Sequence, residues 1–116
     1  LPIQYALYYP ERRFLPGERL DFAKLQSITF ENPDMEVFKG LKLAYDAGRT
    51  GGSLPTVYNA ANEYAVGKFL NKEISYLTII DMIEGAMGHH KVVSQPDVNA
   101  ILAAEQETYE YIESRW

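Results

Sequence analysis

A regular helical pattern runs through Ser75-Tyr76-Leu77-Thr78-Ile79-Ile80-Asp81-Met82-Ile83-Glu84-Gly85-Ala86-Met87-Gly88. Its apolar side chains recur every three or four residues, at Tyr76, Ile79, Ile80, Ile83 and Met87. This spacing is typical of one face of an α-helix that packs against a core. Ser75 is a residue type that caps helix N-termini, and Gly88 is one that ends helices. The stretch therefore predicts a capped helix with one buried face.

Two helices are predicted before this stretch from the same start and stop signals. The first is capped by Asp34, runs to Asp46 or Ala47 and stops at Gly48. Its apolar stripe consists of Val37, Phe38, Leu41 and Tyr45. The second opens at Ser53 and Pro55 and runs to about Leu70, since proline is tolerated in a first helical turn.

One further helix is predicted after residues 75–88. It follows Ser94-Gln95-Pro96-Asp97, which resembles a capping box with Asp in place of Glu or Gln. Its apolar side carries Val98, Ile101, Leu102, Tyr109, Ile112 and Trp116. Glu105 interrupts that side and is a candidate for pairing with a Lys or Arg. Because short loops favour antiparallel neighbours, residues 34–116 are predicted to form a bundle of about four helices.

The first 33 residues are of a different kind. They hold four of the six prolines, which break helices and favour extended or turning chain. A short helix is predicted from Ile3 to Tyr9, and a strand or extended arm over Leu20 to Phe30. A lone strand needs a partner from elsewhere. The fold class is therefore mainly α, with a helical bundle preceded by a short helix and an arm.

Composition excludes several classes of protein. The chain has 116 residues, no cysteine and a net charge of −5, all of it in residues 34–116. Acidic charge disfavours nucleic acid as a partner, and the lack of cysteine excludes disulfides, thiolate catalysis and cysteine-bound zinc. No apolar run approaches the length of a membrane span. Because the chain opens on Leu1-Pro2 without an initiator Met, we expect it to be a piece of a longer protein.

Two short motifs are candidate sites, and each has a simpler interpretation. His89-His90 are the only histidines, and adjacent side chains rarely bind one metal unaided, so a solvated loop pair is favoured. The Gly-rich run at residues 48–53 is similar to a phosphate-binding loop, but no strand precedes it and Leu54-Pro55 follows. A connection between two helices is the favoured interpretation of this run.

The polar trio Asn59, Asn62 and Glu63 carries the most information. The three stand at i, i+3 and i+4, so they project from one helix face that turns apolar at Val66 and Leu70. A functional reading is a catalytic carboxylate with two orienting amides. A structural reading is a partly buried hydrogen-bonded patch that fastens the helix to a loop or another domain. With no nearby histidine or second carboxylate, the structural reading is favoured.

Several collinear motifs resemble one enzyme family, 1-deoxy-D-xylulose 5-phosphate reductoisomerase. The first motifs are Pro2-Ile3-Gln4-Tyr5-Ala6-Leu7, Tyr9-Pro10-Glu11-Arg12, Leu20-Asp21-Phe22 and Ser27-Ile28-Thr29-Phe30-Glu31. The later ones are Pro33-Asp34, Leu41-Lys42-Leu43-Ala44-Tyr45 and Asn59-Ala60-Ala61-Asn62-Glu63. The chain departs from the family at Lys39-Gly40, where Pro-Cys is common, and at Tyr58 and Tyr64, where smaller aliphatic residues are usual.

The resemblance implies a function for the whole enzyme rather than for this piece. Such enzymes use NADPH and Mg²⁺, Mn²⁺ or Co²⁺ to convert 1-deoxy-D-xylulose 5-phosphate to 2-C-methyl-D-erythritol 4-phosphate in the non-mevalonate isoprenoid pathway. Their catalytic, metal-binding and NADPH-binding residues precede the matched segment. No catalytic, cofactor-binding or metal-binding residue is therefore assigned here, and the segment is expected to be structural and inactive alone.

The resemblance also implies an organisation. Residues 1–33 would be the end of the catalytic domain and a connecting arm, and residues 34–116 the C-terminal helical domain. The remainder of the same chain would be the partner, within a homodimer located in the cytoplasm or in a plastid-type compartment, the cytoplasm being preferred. The alternative is a free-standing helical module that binds a protein partner through its proline-rich arm.

Overall fold

The structure is a computed structural model that describes residues 2–14 and 16–116. The chain divides into two units, residues 1–32 and residues 33–116. The described residues form six α-helices and no strand. The mainly α fold class is thereby confirmed.

Four helices make up the unit of residues 33–116. They are α3 (Lys39–Thr50), α4 (Leu54–Leu70), α5 (Tyr76–His89) and α6 (Val98–Glu113). The predicted bundle of about four helices is thus present. Helix α4 packs against each of the other three and occupies the centre. Leu54 and Leu70 bound α4 where the sequence placed its ends, and the Ser75 Oγ accepts from the Thr78 backbone N–H to cap α5.

The core lies between these helices and contains many small side chains. Its buried members are Ala47, Leu54, Val57, Ala61, Ala65, Ile79, Met82, Ile83, Ala86, Ala104 and Ile112. Alanines on α4, α5 and α6 let the helix backbones approach closely, and the side chains of Met82, Ile83 and Ile112 fill the space that remains. Helix α5 supplies four of these core residues, Ile79, Met82, Ile83 and Ala86.

The ends of α3 differ from the prediction. Asp34 accepts hydrogen bonds from the backbone N–H groups of Glu36 and Val37 and so caps a turn, while α3 itself begins at Lys39. Gly48 lies inside the helix and does not stop it. The helix ends at Gly51, whose φ of 67° is the left-handed conformation that glycine adopts without strain. Three glycines fall within five residues here, and only the backbone conformation distinguishes which of them ends the helix.

Helix α6 also differs in its cap and in its buried face. Asp97, not Ser94, is the N-cap, and its carboxylate accepts from the Ala100 backbone N–H at 2.8 Å. The buried residues of α6 are Ala104, Thr108 and Ile112, whereas most of the predicted apolar side is exposed. Ala104 and Thr108 are small, so at these two positions α6 can approach α4 more closely than a side chain such as Leu102 would allow.

The unit of residues 1–32 contains two short helices, α1 (Pro2–Tyr8) and α2 (Phe22–Leu25). Helix α1 confirms the predicted short helix to within one residue. The predicted strand over Leu20 to Phe30 is wrong for this chain, because no strand occurs among the described residues. The Asp21 carboxylate caps α2 by accepting from the backbone N–H groups of Ala23 and Lys24. A strand has no pairing partner within this unit, so the local cap decides the conformation.

No described residue of this first unit is buried. Its large apolar side chains are exposed, at Ile3, Leu7, Tyr8, Tyr9, Phe14, Leu20, Phe22, Leu25, Ile28 and Phe30. Large apolar side chains exposed in this number are typical of surfaces that contact other protein. Among the helices described in the two units, none combines the length and the apolar character that a bilayer crossing requires.

Candidate functional site

The polar trio lies on α4 as predicted, but its side chains are more exposed to solvent than the prediction of partial burial stated. Asn59 and Glu63 are exposed and Asn62 is half-buried. Among the described residues, none of the three side chains makes a hydrogen bond. The trio therefore has free donors and acceptors on the surface of the bundle, and its structural role remains a prediction.

The trio belongs to a longer surface, which we call the open face of α4. It consists of Pro55, Asn59, Asn62, Glu63, Val66 and Leu70. Successive members lie three or four residues apart, except Asn62 and Glu63, which are adjacent, so all six lie on one side of the helix. Leu70 is 70% exposed, and Val66 is half-buried at the edge of the core. Helices α3, α5 and α6 cover the other sides of α4 and leave this one uncovered.

A buried hydroxyl ties the start of α4 to the segment after α5. Ser53 is fully buried; its Oγ lies 2.7 Å from the His90 Nε2 and accepts from the Val93 backbone N–H at 2.9 Å. The Ser53 N–H in turn donates to the Val93 carbonyl at 3.0 Å. A hydroxyl carries one proton and two lone pairs, so with one lone pair taken by the Val93 N–H the Ser53 Oγ can either donate to the His90 Nε2 or accept from it, according to the histidine tautomer. We call this group the Ser53 clasp.

The histidine pair therefore corrects the prediction of a solvated loop pair. His90 is half-buried in the Ser53 clasp, and His89 is the last residue of α5. The His89 ring, although exposed, stacks on Tyr111 with ring centres 4.4 Å apart and planes inclined by 14°. Both histidines line a surface cavity of about 690 Å³ together with Lys91, Glu107, Glu110 and Arg115, among others. Cations and carboxylates balance around this cavity, which gives it no preference for one sign of ligand charge.

Two tyrosine–carboxylate pairs involve α6, one of them reaching from α4 and the other lying within α6 itself. The Tyr64 hydroxyl donates to Glu113 at 2.5 Å, and the Tyr109 hydroxyl donates to Glu105 at 2.8 Å. The hydrogen bond to Glu113, with smaller contributions from burial and from the charges of Glu113 and Glu73, raises the pKa of Tyr64 to about 12. The hydrogen bond to Glu105 raises the pKa of Tyr109, to which Glu63 adds a minor electrostatic part. Glu105 thus pairs with a tyrosine and not with the predicted Lys or Arg.

The sequence assigned no catalytic residue, and the described residues place no three His, Asp or Glu side chains where they could share a metal ion.

In the first unit, the guanidinium groups lie over aromatic rings, Arg12 over Tyr5 at 4.4 Å and Arg13 over Tyr8 at 4.8 Å. Cation–π contacts at exposed positions contribute about 0.5–1 kcal/mol each. They order side chains locally but supply no core.

Sequence reasoning missed the Ser53 clasp. Ser53 was assigned only as the start of α4, and His90 only as a loop residue. Their positions are 37 residues apart along the chain, and no local periodicity connects them. The one available signal was the Gly51-Gly52 pair before Ser53, since glycine marks sites of close backbone approach. Gly52 has a φ of +59°, and a Cβ atom there would overlap the Val93 carbonyl oxygen.

Comparison with known proteins gives consistent results along the chain. A family model described as DXP reductoisomerase C-terminal domain matches residues 1–111. The 1-deoxy-D-xylulose 5-phosphate reductoisomerase of Lachnoclostridium phytofermentans is 61% identical over 114 residues, which are 97% of this chain and 29% of that protein. The reductoisomerase of Lachnospira eligens is 59% identical over 116 residues, 100% of this chain and 30% of that protein.

A solved structure gives the same result for the fold. The 1-deoxy-D-xylulose 5-phosphate reductoisomerase from Zymomonas mobilis in complex with NADPH matches with a TM-score of 0.81 and 37% identity. The match covers 97% of this chain and 30% of that one. The chain therefore spans about 30% of the length of the relatives it matches.

Proposed function

Because the chain belongs to the family of DXP reductoisomerase C-terminal domains, we propose that it is the C-terminal segment of an NADPH- and divalent-metal-dependent reductoisomerase. The complete enzyme converts 1-deoxy-D-xylulose 5-phosphate to 2-C-methyl-D-erythritol 4-phosphate in non-mevalonate isoprenoid biosynthesis. The observation that carries this proposal is the family match over residues 1–111, together with a relative that is 61% identical over 97% of the chain.

The proposed role of the segment is structural. NADPH and Mg²⁺, Mn²⁺ or Co²⁺ bind to the part of the enzyme outside this chain, and that part is its partner. Residues 1–33 form the end of the catalytic domain and a connecting arm, and residues 34–116 form the helical domain. In support, the first unit exposes its large apolar side chains, whereas the bundle has a core of its own. Asn59, Asn62 and Glu63 act as the structural polar patch of the helical domain.

The complete enzyme is proposed to be a cytoplasmic homodimer. The exposed apolar surface of residues 1–32 supports contact with further protein surface, which a second subunit can supply together with the rest of the same chain. Sedimentation of the complete enzyme measures its oligomeric state directly. A monomer at micromolar concentration would contradict the homodimer without affecting the family assignment.

A chimera tests the function. A complete reductoisomerase from a relative, with its own C-terminal segment replaced by residues 1–116, is expected to oxidise NADPH in the presence of the sugar phosphate and Mg²⁺. The same enzyme truncated before this segment, and the purified 116-residue chain, are the controls and are expected to be inactive. Turnover by the chain alone would overturn the structural role. A folded but inactive chimera would favour the free-standing module instead.

A further inference from the structure

The open face of α4 has the wrong composition for a surface that only meets water. Helix α4 has 17 residues, of which only Glu63 and Lys68 are charged. A helix with so few charged residues is characteristic of an element covered by protein on most of its circumference. Three of the six residues on the open face, Pro55, Val66 and Leu70, are apolar. The face is thus suited to contact with another protein surface.

The polar groups on this face narrow the chemistry of that contact. Each asparagine amide offers two N–H donors and a carbonyl acceptor, which is the same pair of group types that a peptide bond offers. Asn59 and Asn62 lie one helical turn apart, and Glu63 adds an acceptor beside them. A surface covering them must supply both donors and acceptors, because buried amide groups left without partners cost free energy.

Main chain that is not part of a helix or sheet meets this requirement. In regular secondary structure the peptide N–H and C=O groups are already bonded to each other, whereas in a loop they are free to bond to side chains. An arginine- or lysine-rich surface would satisfy Glu63 but would leave the amide N–H groups without acceptors.

We propose that the open face of α4 docks a loop of main chain from the part of the reductoisomerase outside residues 1–116, with Asn59 and Asn62 bonding to its peptide groups. The inference rests on the proposed function, in which that part belongs to the same chain. It is favoured by the small share of the relatives that this chain spans, about 30%, which leaves most of each relative's chain available as the covering surface. Glu63 accepts from a peptide N–H of the same loop.

The test uses isosteric changes in two proteins, the complete reductoisomerase that carries this chain and the 116-residue chain alone. Asn59→Asp with Asn62→Asp removes the amide donors, keeps the shape, and places a negative charge against the peptide carbonyls. We expect the melting temperature of the complete enzyme to fall by at least about 2 °C more than that of the chain alone, in which the new carboxylates only repel Glu63 and each other. Asn99→Asp on α6, also an exposed asparagine, is the matched control and is expected to shift both proteins equally.

Hydrogen exchange locates the partner. In the complete enzyme, the double variant is expected to exchange faster in one peptide outside residues 1–116 that lacks regular secondary structure. If the double variant does not fold, Asn59→Ala alone gives the same two readings at smaller amplitude. Faster exchange confined to helices or strands would overturn the loop as the partner.

The melting temperatures separate the remaining alternatives. Equal destabilisation of both proteins would assign the amides a role inside the bundle, and no change in either would make the face a solvated one. Stabilisation of the complete enzyme would indicate a cationic partner surface. Each of these results overturns the inference. Turnover of the unsubstituted complete enzyme is measured first, and its absence would count against the proposed function rather than against the docking face.

Discussion

Residues 1–32 and residues 33–116 differ in what holds their helices in place. In the bundle, Met82, Ile112 and Val57 are fully buried. Side-chain caps fix the starts of α5 and α6, and the Ser53 clasp fixes the start of α4. In the first unit, Leu7 is 76% exposed and Phe30 is 90% exposed, and the contacts present are local caps, ion pairs and cation–π pairs.

The difference shows that helix content and stability are separate properties. Helix α2 has a well-formed aspartate cap, yet its four residues bury nothing. Isolated helices of this length are marginal in water, because nucleation is costly and most helical stability comes from packing. The bundle is therefore expected to unfold as one cooperative unit, while the first unit contributes little to that transition.

The largest effect expected is at the centre of the bundle. Met82→Ala removes a fully buried side chain and leaves a cavity, so the free energy of unfolding is expected to fall by about 2–5 kcal/mol. Leu7→Ala in α1 changes it by less than about 0.5 kcal/mol, because that side chain is exposed. Urea unfolding followed by circular dichroism measures both. Comparable losses of unfolding free energy in the two variants would contradict the proposed difference in stability between the two units.

Backbone strain gives the next largest effect. Gly52→Ala places a Cβ against the Val93 carbonyl in a left-handed conformation, at an expected cost of roughly 2–3 kcal/mol of unfolding free energy. Gly48→Ala is the matched control. It lies inside α3 with open space around it, and is expected to stabilise the bundle by about 0.5–1 kcal/mol. We expect the melting temperature to fall for Gly52→Ala and to rise for Gly48→Ala. A rise for Gly52→Ala would contradict the close approach of Gly52 to Val93.

Helix caps compare the two units directly. Asp97→Ala removes the N-cap of α6 and is expected to lower the free energy of unfolding by about 1 kcal/mol. Asp21→Ala removes an equally formed cap from α2, but the urea midpoint of the bundle is expected to stay where it is. A shift of that midpoint by Asp21→Ala would show that the first unit unfolds together with the bundle.

The smallest effect depends on pH. The pKa of Tyr64 is raised to about 12 from its ordinary value of 10.0, so the folded state favours the protonated phenol that donates to Glu113. This contribution is complete below pH 10 and is lost as the pH rises towards 12. Tyr64→Phe is expected to flatten the alkaline decline of the urea midpoint, whereas Tyr9→Phe, at a 73% exposed position of the first unit, leaves it unchanged. An identical decline in both variants would contradict the role of the Tyr64–Glu113 pair.

The helix ends that depend only on residues adjacent in sequence were predictable. Ser53 and Ser75 mark the starts of α4 and α5, and Leu70 marks the end of α4, as their local signals indicate. The strand over Leu20 to Phe30 was not predictable in the same way, since β-propensity reports fit to a sheet, and no sheet is present among the described residues. The placement of the polar trio on one face followed from spacing alone, but its exposure depended on which helices cover α4.

The sequence by itself determined that residues 34–116 form helices, roughly where these begin and end, and to which family the motifs point. Caps, glycines and apolar periodicity act within one or two turns, so they can be interpreted without the fold. Tertiary structure alone decided that α6 buries Ala104 and Thr108 rather than the larger Ile101 and Leu102. It also brought Ser53 to His90 across 37 residues. Both outcomes depend on how closely distant backbones can approach, and that distance is a property of the packed bundle.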